Sequence, residues 1–379
     1  MPGPLAGVTV VELAGIGPGP FAGMVLADLG ATVIQVERPG GNPAAAFGHA
    51  ALQRSRRTVA VNLKEPAGVE VVLRLVEDAD LLIEGNRPGV TERLGIGPDD
   101  CLARNPALVY GRMTGWGQDG PWAQRAGHDI NYIALSGALD TIGRADSGPV
   151  PPLNLVGDFG GGAMLLVVGV LAALDHARRT GEGQVVDAAM AEGASLLLSM
   201  QRTMAAQGLW SGGRGGNLLD TGAPFYDVYE TADGNWVSIG SLEPQFFAEL
   251  LARLDLTEEF GDGQDPRRWP ALRERLASVF ASRSRDEWDE VFAGSDACYA
   301  PVLSMDEAPQ HEHNVARGSF VEVGGDLQAR PAPRFSATPS ADPTPASRPG
   351  TDTRAVLRDA GYADDEVAEL LDTGAVAEP

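Results

Sequence analysis

The 379-residue sequence predicts a mixed α/β protein of about two domains. Two observations carry this. Over the first 190 residues, short β-branched runs alternate with stretches of helical apolar spacing, the pattern of a parallel sheet covered on both faces. Beyond a glycine-rich stretch at 212–216 the pattern changes to a hairpin signal followed by helices. A hydrophobic content of 44% supplies the cores this needs.

The elements follow in order. Residues 8–13 read as a strand, 15–20 as a turn, 21–29 as a helix ending at Gly30, and 31–36 as a second strand. Strands at 58–63, 81–84 and 107–113 alternate with helices at 66–78 and 99–104. A helical stretch at 129–139 and a long one at 158–179 precede a strand at 184–190, then an apolar helix over 191–209. Runs at 225–230 and 235–239 flank Asp233-Gly234, and helices at 244–254, 268–281 and 285–292 lead to a strand at 298–303. Residues 321–352, rich in proline and small side chains, read as an extended connector, and 353–371 as a last helix.

Charge and cysteine usage exclude several classes. A formal charge of −23 argues against nucleic acid and against an anionic membrane surface. The longest strongly apolar run, 163–174, is short of a membrane span and reads as a buried helix. The N-terminus shows no basic region followed by a long apolar run, so no secretory signal is expected. Cys101 and Cys298 lie far apart and suggest no disulfide framework, which fits a reducing cytoplasm. Within this acidic chain, Arg54, Arg56, Arg57 and Lys64 (the only lysine) fall within eleven residues, a candidate site for an anionic ligand.

Gly17, Gly19 and Gly23, set between two strands with Glu37 about twenty residues on, imitate a dinucleotide fingerprint. The final glycine spacing is off by one. Pro18 and Pro20 also lack the N–H donors a pyrophosphate cradle uses, so a tight turn is the better reading. Arg38, next to the acid, is free to reach a nucleotide phosphate. His311 and His313 make no convincing metal pair, and His49 and His176 have no setting that suggests chemistry.

Several segments occur together in a fixed order: residues 7–14; Val36-Glu37-Arg38-Pro39; Arg56-Arg57 followed by Asn62-Leu63-Lys64; residues 84–90 with Arg93-Leu94-Gly95; residues 113–118; Gly127-His128-Asp129-Ile130-Asn131-Tyr132; residues 154–162; and residues 187–190. Gly361-Tyr362 closes the set. Taken together the chain resembles the type III CoA-transferase family and, within it, the alpha-methylacyl-CoA racemase branch. The histidine of Gly127-His128-Asp129 is what separates the two, because the transferase branch usually carries an aromatic residue there. The resemblance implies a large Rossmann-like domain over 1–190, a linker over 191–222, a smaller α+β domain over 223–310, and a linker and C-terminal return to the large domain over 311–379. It also implies an interlocked homodimer.

The activity implied is interconversion of 2-methylacyl-CoA epimers, a reaction of lipid and fatty acid metabolism that uses no cofactor beyond the coenzyme A of its substrate. Moving a proton between two faces of a planar enolate requires one acid/base group on each face, and a histidine with a carboxylate can supply the pair near neutral pH. The resemblance assigns these roles to His128 and Asp158, with Glu243 in support from the other subunit. Read by themselves, Asp158 is a plausible N-cap for the apolar helix after it and Glu243 a helix-start acid. Gly160, Gly161 and Gly162 could bring backbone N–H groups to a developing oxyanion. Coenzyme A contacts are implied for Arg38, Val61, Asn62, Leu63, Lys64, Gly85, Asn86, Arg87, Arg93, Gly127, Asp129, Ile130, Asn131 and Tyr132, with Asp129 open to a second reading, that it orients the neighbouring His128. Asn62 stands where related racemases often have Asp. The alternatives are a transferase with Asp158 as nucleophile, a non-catalytic CoA-binding protein, and a nicotinamide oxidoreductase.

Overall fold

The computed structural model describes residues 2–41, 50–210, 212–261 and 264–379; His49 lies outside them. The chain forms two compact units. The larger comprises Met1–Ser136, Leu153–Leu197 and Gly318–Pro379, and the smaller Gly137–Pro152 and Leu198–Arg317. Residues 137–152, expected in the large domain, belong to the small unit because their polar groups find partners there. Arg144 pairs with Asp227 at 2.8 Å, and Arg214 donates to the Asp140 carbonyl at 3.0 Å.

The large unit is built on β1 (Thr9–Leu13), α1 (Pro18–Asp28), β2 (Thr32–Glu37), β3 (Arg57–Val61), α2 (Pro66–Glu77), β4 (Leu81–Glu84), α3 (Pro98–Arg104), β5 (Val109–Thr114) and β6 (Gln184–Ala189). The sheet runs β3-β2-β1-β4-β5-β6, all parallel, the order of a doubly wound nucleotide-binding fold. A seventh strand, Val376–Ala377, adds antiparallel to β3 with Val376 opposite Val61. Two residues are too short a run to announce themselves in the sequence. The central strands are buried on both faces, with one apolar core around Leu26, Leu166 and Val170 and another around Val71, Val72, Leu75 and Tyr110.

After β5 come α4 (Asp129–Ser136), then a π-helical stretch, Leu155–Ala163, that runs directly into α5 (Met164–Thr180). The continuous helix Leu155–Thr180 has 26 residues and is long and apolar enough to cross a membrane by length and composition. This corrects the expectation that no segment reaches that length. The glycines at its start interrupt the run of strongly apolar side chains but not the helix. One face of it, with Leu166, Val167, Val170, Ala173, Leu174 and Ala177, is buried against the sheet. α6 (Met190–Leu197) packs against the π-helical stretch so closely that a Cβ on Gly193 would stand 1.8 Å from the Gly161 carbonyl oxygen.

Three expected elements are subdivided. The helix over 191–209 breaks at Leu198 into α6 and Ser199–Ala206. The connector over 321–352 begins with a hairpin, Phe320–Val323 against Asp326–Ala329, that turns through Gly324 and Gly325 at positive φ. The last helix is two, Thr353–Asp359 and Asp364–Asp372, parted at Gly361 with φ +80°. Local glycine punctuation outweighs composition at Gly324-Gly325 and apolar spacing at Gly361.

The small unit holds the expected hairpin, Tyr226–Glu230 with Trp236–Gly240, extended by Tyr299–Val302 into a three-stranded antiparallel sheet. Helices Pro244–Arg253, Trp269–Phe280 and Arg285–Phe292 enclose a core of Phe225, Tyr229, Phe247, Leu272, Phe280 and Trp288.

Candidate active site

A cavity of about 660 Å³ opens in the large unit at the carboxyl ends of β1, β4 and β5. The strand order reverses between β1 and β4, and in open α/β sheets that is where ligands bind. The turn after β1 supplies residues 13–19, the turn after β4 supplies Gly85, Asn86, Arg87 and Pro88, and residues 113–116 come from the end of β5. Ala123 and residues 125–128, with Tyr132, Asn154, Asp158 and Met190, complete the wall. His128 and Asp158, thirty residues apart in sequence, therefore line one space.

Asp158 sits inside the π-helical stretch, not at a helix N-cap as its sequence position suggested. Its carboxylate accepts from the Asn154 side-chain amide at 3.1 Å, and its own N–H donates to Asp129 Oδ2 at 2.7 Å. Burial pushes the Asp158 carboxyl up from its ordinary range. Asn154 offsets this, the nearby Asp129 charge adds to it, and His128 opposes it. Gly17, at φ +68°, leaves room here: a Cβ on it would stand 3.1 Å from Asp158 Oδ2.

The backbone around His128 is held firmly. Its N–H donates to Asn131 Oδ1 at 3.1 Å, and its carbonyl accepts from the N–H groups of Asn131 and Tyr132. The imidazole has no hydrogen bond among the described residues and faces the cavity in an exposed position. Beside it the Tyr132 hydroxyl donates to the Gly127 carbonyl, and the Tyr132 ring meets Trp116 edge-on at 4.7 Å. Both Gly115 and Gly127 are required, since a Cβ on either would collide with the Tyr132 ring.

Of the other candidate residues, Gly85, Asn86, Arg87, Gly127 and Tyr132 line the cavity; Arg38, Val61, Asn62, Leu63, Lys64, Arg93, Ile130 and Asn131 do not. Val61 is a core residue of β3, and Leu63 packs against the same core. Asn62 Oδ1 accepts the Lys64 N–H at 3.2 Å, and Arg38 Nε donates to the Gly41 carbonyl at 2.6 Å. Glu243 belongs to the small unit, where it is exposed at the start of the helix Pro244–Arg253. Asn154 and Arg125, lining residues not singled out from the sequence, did leave signals: Asn154 precedes Asp158 by one helical turn, and Arg125 lies three residues before His128.

Two expectations are corrected. The three arginines of the basic cluster are spent on structure, leaving only the exposed Lys64: Arg54 pairs with Asp28 and Arg56 with Glu12, both buried and both at 2.5 Å, while Arg57 reaches Asp359 at 2.7 Å. Gly23, the third glycine of the false fingerprint, serves the same pair, because a Cβ there would stand 2.2 Å from Glu12 Oε2. Gly160, Gly161 and Gly162 do not line the cavity. A Cβ on Gly161 would stand 2.5 Å from the Ala194 backbone, and one on Gly162 would stand 2.8 Å from the Met190 side chain, so these two admit α6, not a ligand.

With this geometry in hand, a family model described as CoA-transferase family III matches residues 5–353. A mouse protein described as alpha-methylacyl-CoA racemase is 46% identical over 370 residues, 97% of this chain and 96% of its own length. A human protein of the same description is 43% identical over the same shares of the two chains. Among solved structures, a CAIB/BAIF family protein from Brucella suis superposes with a TM-score of 0.83 at 27% identity, covering 95% of this chain and all of its own.

Proposed function

The chain belongs to CoA-transferase family III, and from that premise we propose an isomerase that interconverts the (2R) and (2S) epimers of 2-methylacyl-CoA thioesters. The observation that carries the reading is an imidazole and a partly buried carboxyl, His128 and Asp158, on the wall of one cavity at the switch point of the sheet. One group removes the α-proton and the other returns a proton to the opposite face of the enolate. Burial keeps the Asp158 carboxyl closer to neutrality than an exposed aspartate, which suits a group that must both hold and release a proton. Arg87 and Arg125, exposed at the cavity wall, supply cations for the polyanionic coenzyme A. The same reading takes the working form to be an interlocked cytoplasmic homodimer, with Glu243 in support of His128 and no cofactor beyond the substrate's own coenzyme A.

The test is α-proton exchange in heavy water with each epimer of one 2-methylacyl-CoA and no second acid present. Wild type should incorporate deuterium at the α-carbon of both epimers, and His128→Ala and Asp158→Ala should not. In a parallel reaction with a free acid added, exchange of coenzyme A onto that acid, together with no α-deuterium uptake in its absence, would overturn the reading in favour of a transferase with Asp158 as nucleophile.

A further inference from the structure

Asp129 is buried and does not line the cavity, yet it touches the chain at both acid/base groups. It follows His128 directly in sequence and opens α4. Its Oδ2 accepts the backbone N–H of Asp158 at 2.7 Å, across 29 residues of sequence. Its Oδ1 is also buried and has no hydrogen-bond partner among the described residues. Buried polar atoms are nearly always satisfied, so a carboxylate left half-paired here calls for a reason. The contact is closely fitted: a Cβ on Gly157 would stand 2.5 Å from Asp129 Oδ2 and 3.1 Å from Ile133.

We propose that Asp129 is a positioning residue that fixes the spacing of the reacting pair, being joined to His128 through the chain and to Asp158 through that residue's N–H. The inference rests on the racemase reading; it sets aside the coenzyme A contact for this residue and extends the orienting role beside His128 to Asp158, through the N–H contact. The side chain is buried and does not line the cavity, whereas it already holds the first turn of the π-helical stretch that presents Asp158. Acid/base groups on opposite faces of one carbon tolerate little error, and a misplacement of about 1 Å can cost about 100-fold in rate.

The experiment compares kcat and KM for α-deuterium exchange of one 2-methylacyl-CoA in wild type, Asp129→Asn, Asp129→Ala, Gly157→Ala and His128→Ala. Asparagine keeps an oxygen acceptor for the Asp158 N–H, and alanine does not. The expected result is a kcat about 10- to 100-fold lower in Asp129→Ala with KM unchanged, and most of that loss recovered in Asp129→Asn. Gly157→Ala attacks the same contact from the other side without touching Asp129, and should lower kcat with KM unchanged. It decides the matter if Asp129→Ala does not fold. A raised KM at unchanged kcat, an Asn variant as slow as the Ala variant, or a Gly157→Ala enzyme with wild-type kcat would each overturn the positioning role. His128→Ala separates the two failures: wild-type exchange by that variant sinks the racemase reading itself, whereas its loss alongside an unaffected Asp129→Ala sinks only this inference.

Discussion

Residues 54–57 and residues 125–132 are both polar stretches of the large unit, and they meet opposite fates. In the first, Arg54 and Arg56 turn inward to Asp28 and Glu12, and Arg56 also donates to the carbonyls of Leu52 and Pro20. In the second, Arg125 and His128 stay exposed on the cavity wall while Asp129 is buried beneath. A cluster of cations therefore marks a ligand site only where the fold leaves it without acidic partners. In a chain with 52 acidic residues against 29 basic ones, internal partners are plentiful. Unclaimed polar groups near strand ends are the more informative signal.

The comparison is sharpest if each stretch is struck at its centre. His128→Ala should lower α-proton exchange about 100- to 10,000-fold and leave the melting temperature unchanged, because no hydrogen bond of the described residues depends on the imidazole. Arg56→Ala should do the reverse. It strands Glu12, which is buried, and removal of one partner of a buried ion pair costs about 3–5 kcal/mol. Urea unfolding would measure that loss, and exchange per folded molecule should stay at the wild-type level. A folded Arg56→Ala protein that no longer binds coenzyme A would break the distinction between the two stretches.

Much of this was legible in the sequence, for reasons tied to particular residues. The parallel sheet showed in β-branched runs such as Thr9–Leu13 and Thr32–Glu37, whose burial on both faces leaves no alternation to hide them. His128 and Asp158 were reached through motif order, not through local physics. Neither spacing nor composition brings residues thirty apart onto one wall; the chain's excursion into the small unit between Ser136 and Leu153 intervenes. The partners of Arg54 and Arg56 lie 26 and 44 residues away, so no window along the chain could have paired them. Gly23, Gly161 and Gly162 looked like ligand-facing glycines because a close approach of the chain to itself leaves the same residue in the sequence as a close approach to a phosphate.

A smaller effect separates function from stability at Asp158. Burial raises its carboxyl above the ordinary 3.8, so over the window above that value the folded state holds more proton than the unfolded chain. Its contribution to stability is therefore greatest at or below the unfolded value and is lost as pH rises through the folded one. Asp158→Asn removes the ionisation. The variant should be inactive yet more resistant to urea than wild type at neutral pH, with the difference narrowing as pH falls toward 4 (about the unfolded value). A variant less stable than wild type at neutral pH would show that Asp158 is held by its hydrogen bonds more than it is strained by its burial.

The smallest effect is expected one residue away from one of the largest. Arg57 follows Arg56 and opens β3, where successive side chains point to opposite faces. Arg57 reaches Asp359 with both partners substantially exposed, at 34% and 66% of their side-chain surface. Solvent screens such a pair, and measured exposed pairs contribute about 1 kcal/mol or less. Arg57→Ala should therefore shift the urea midpoint slightly, and less again in high salt, where the screening length falls to about 3 Å at 1 M. Adjacent arginines with the same side chain would then differ severalfold in their cost to the fold. If Arg57→Ala matched Arg56→Ala, the partners' burial would not be what sets the cost, and the contrast between the two stretches would need another cause.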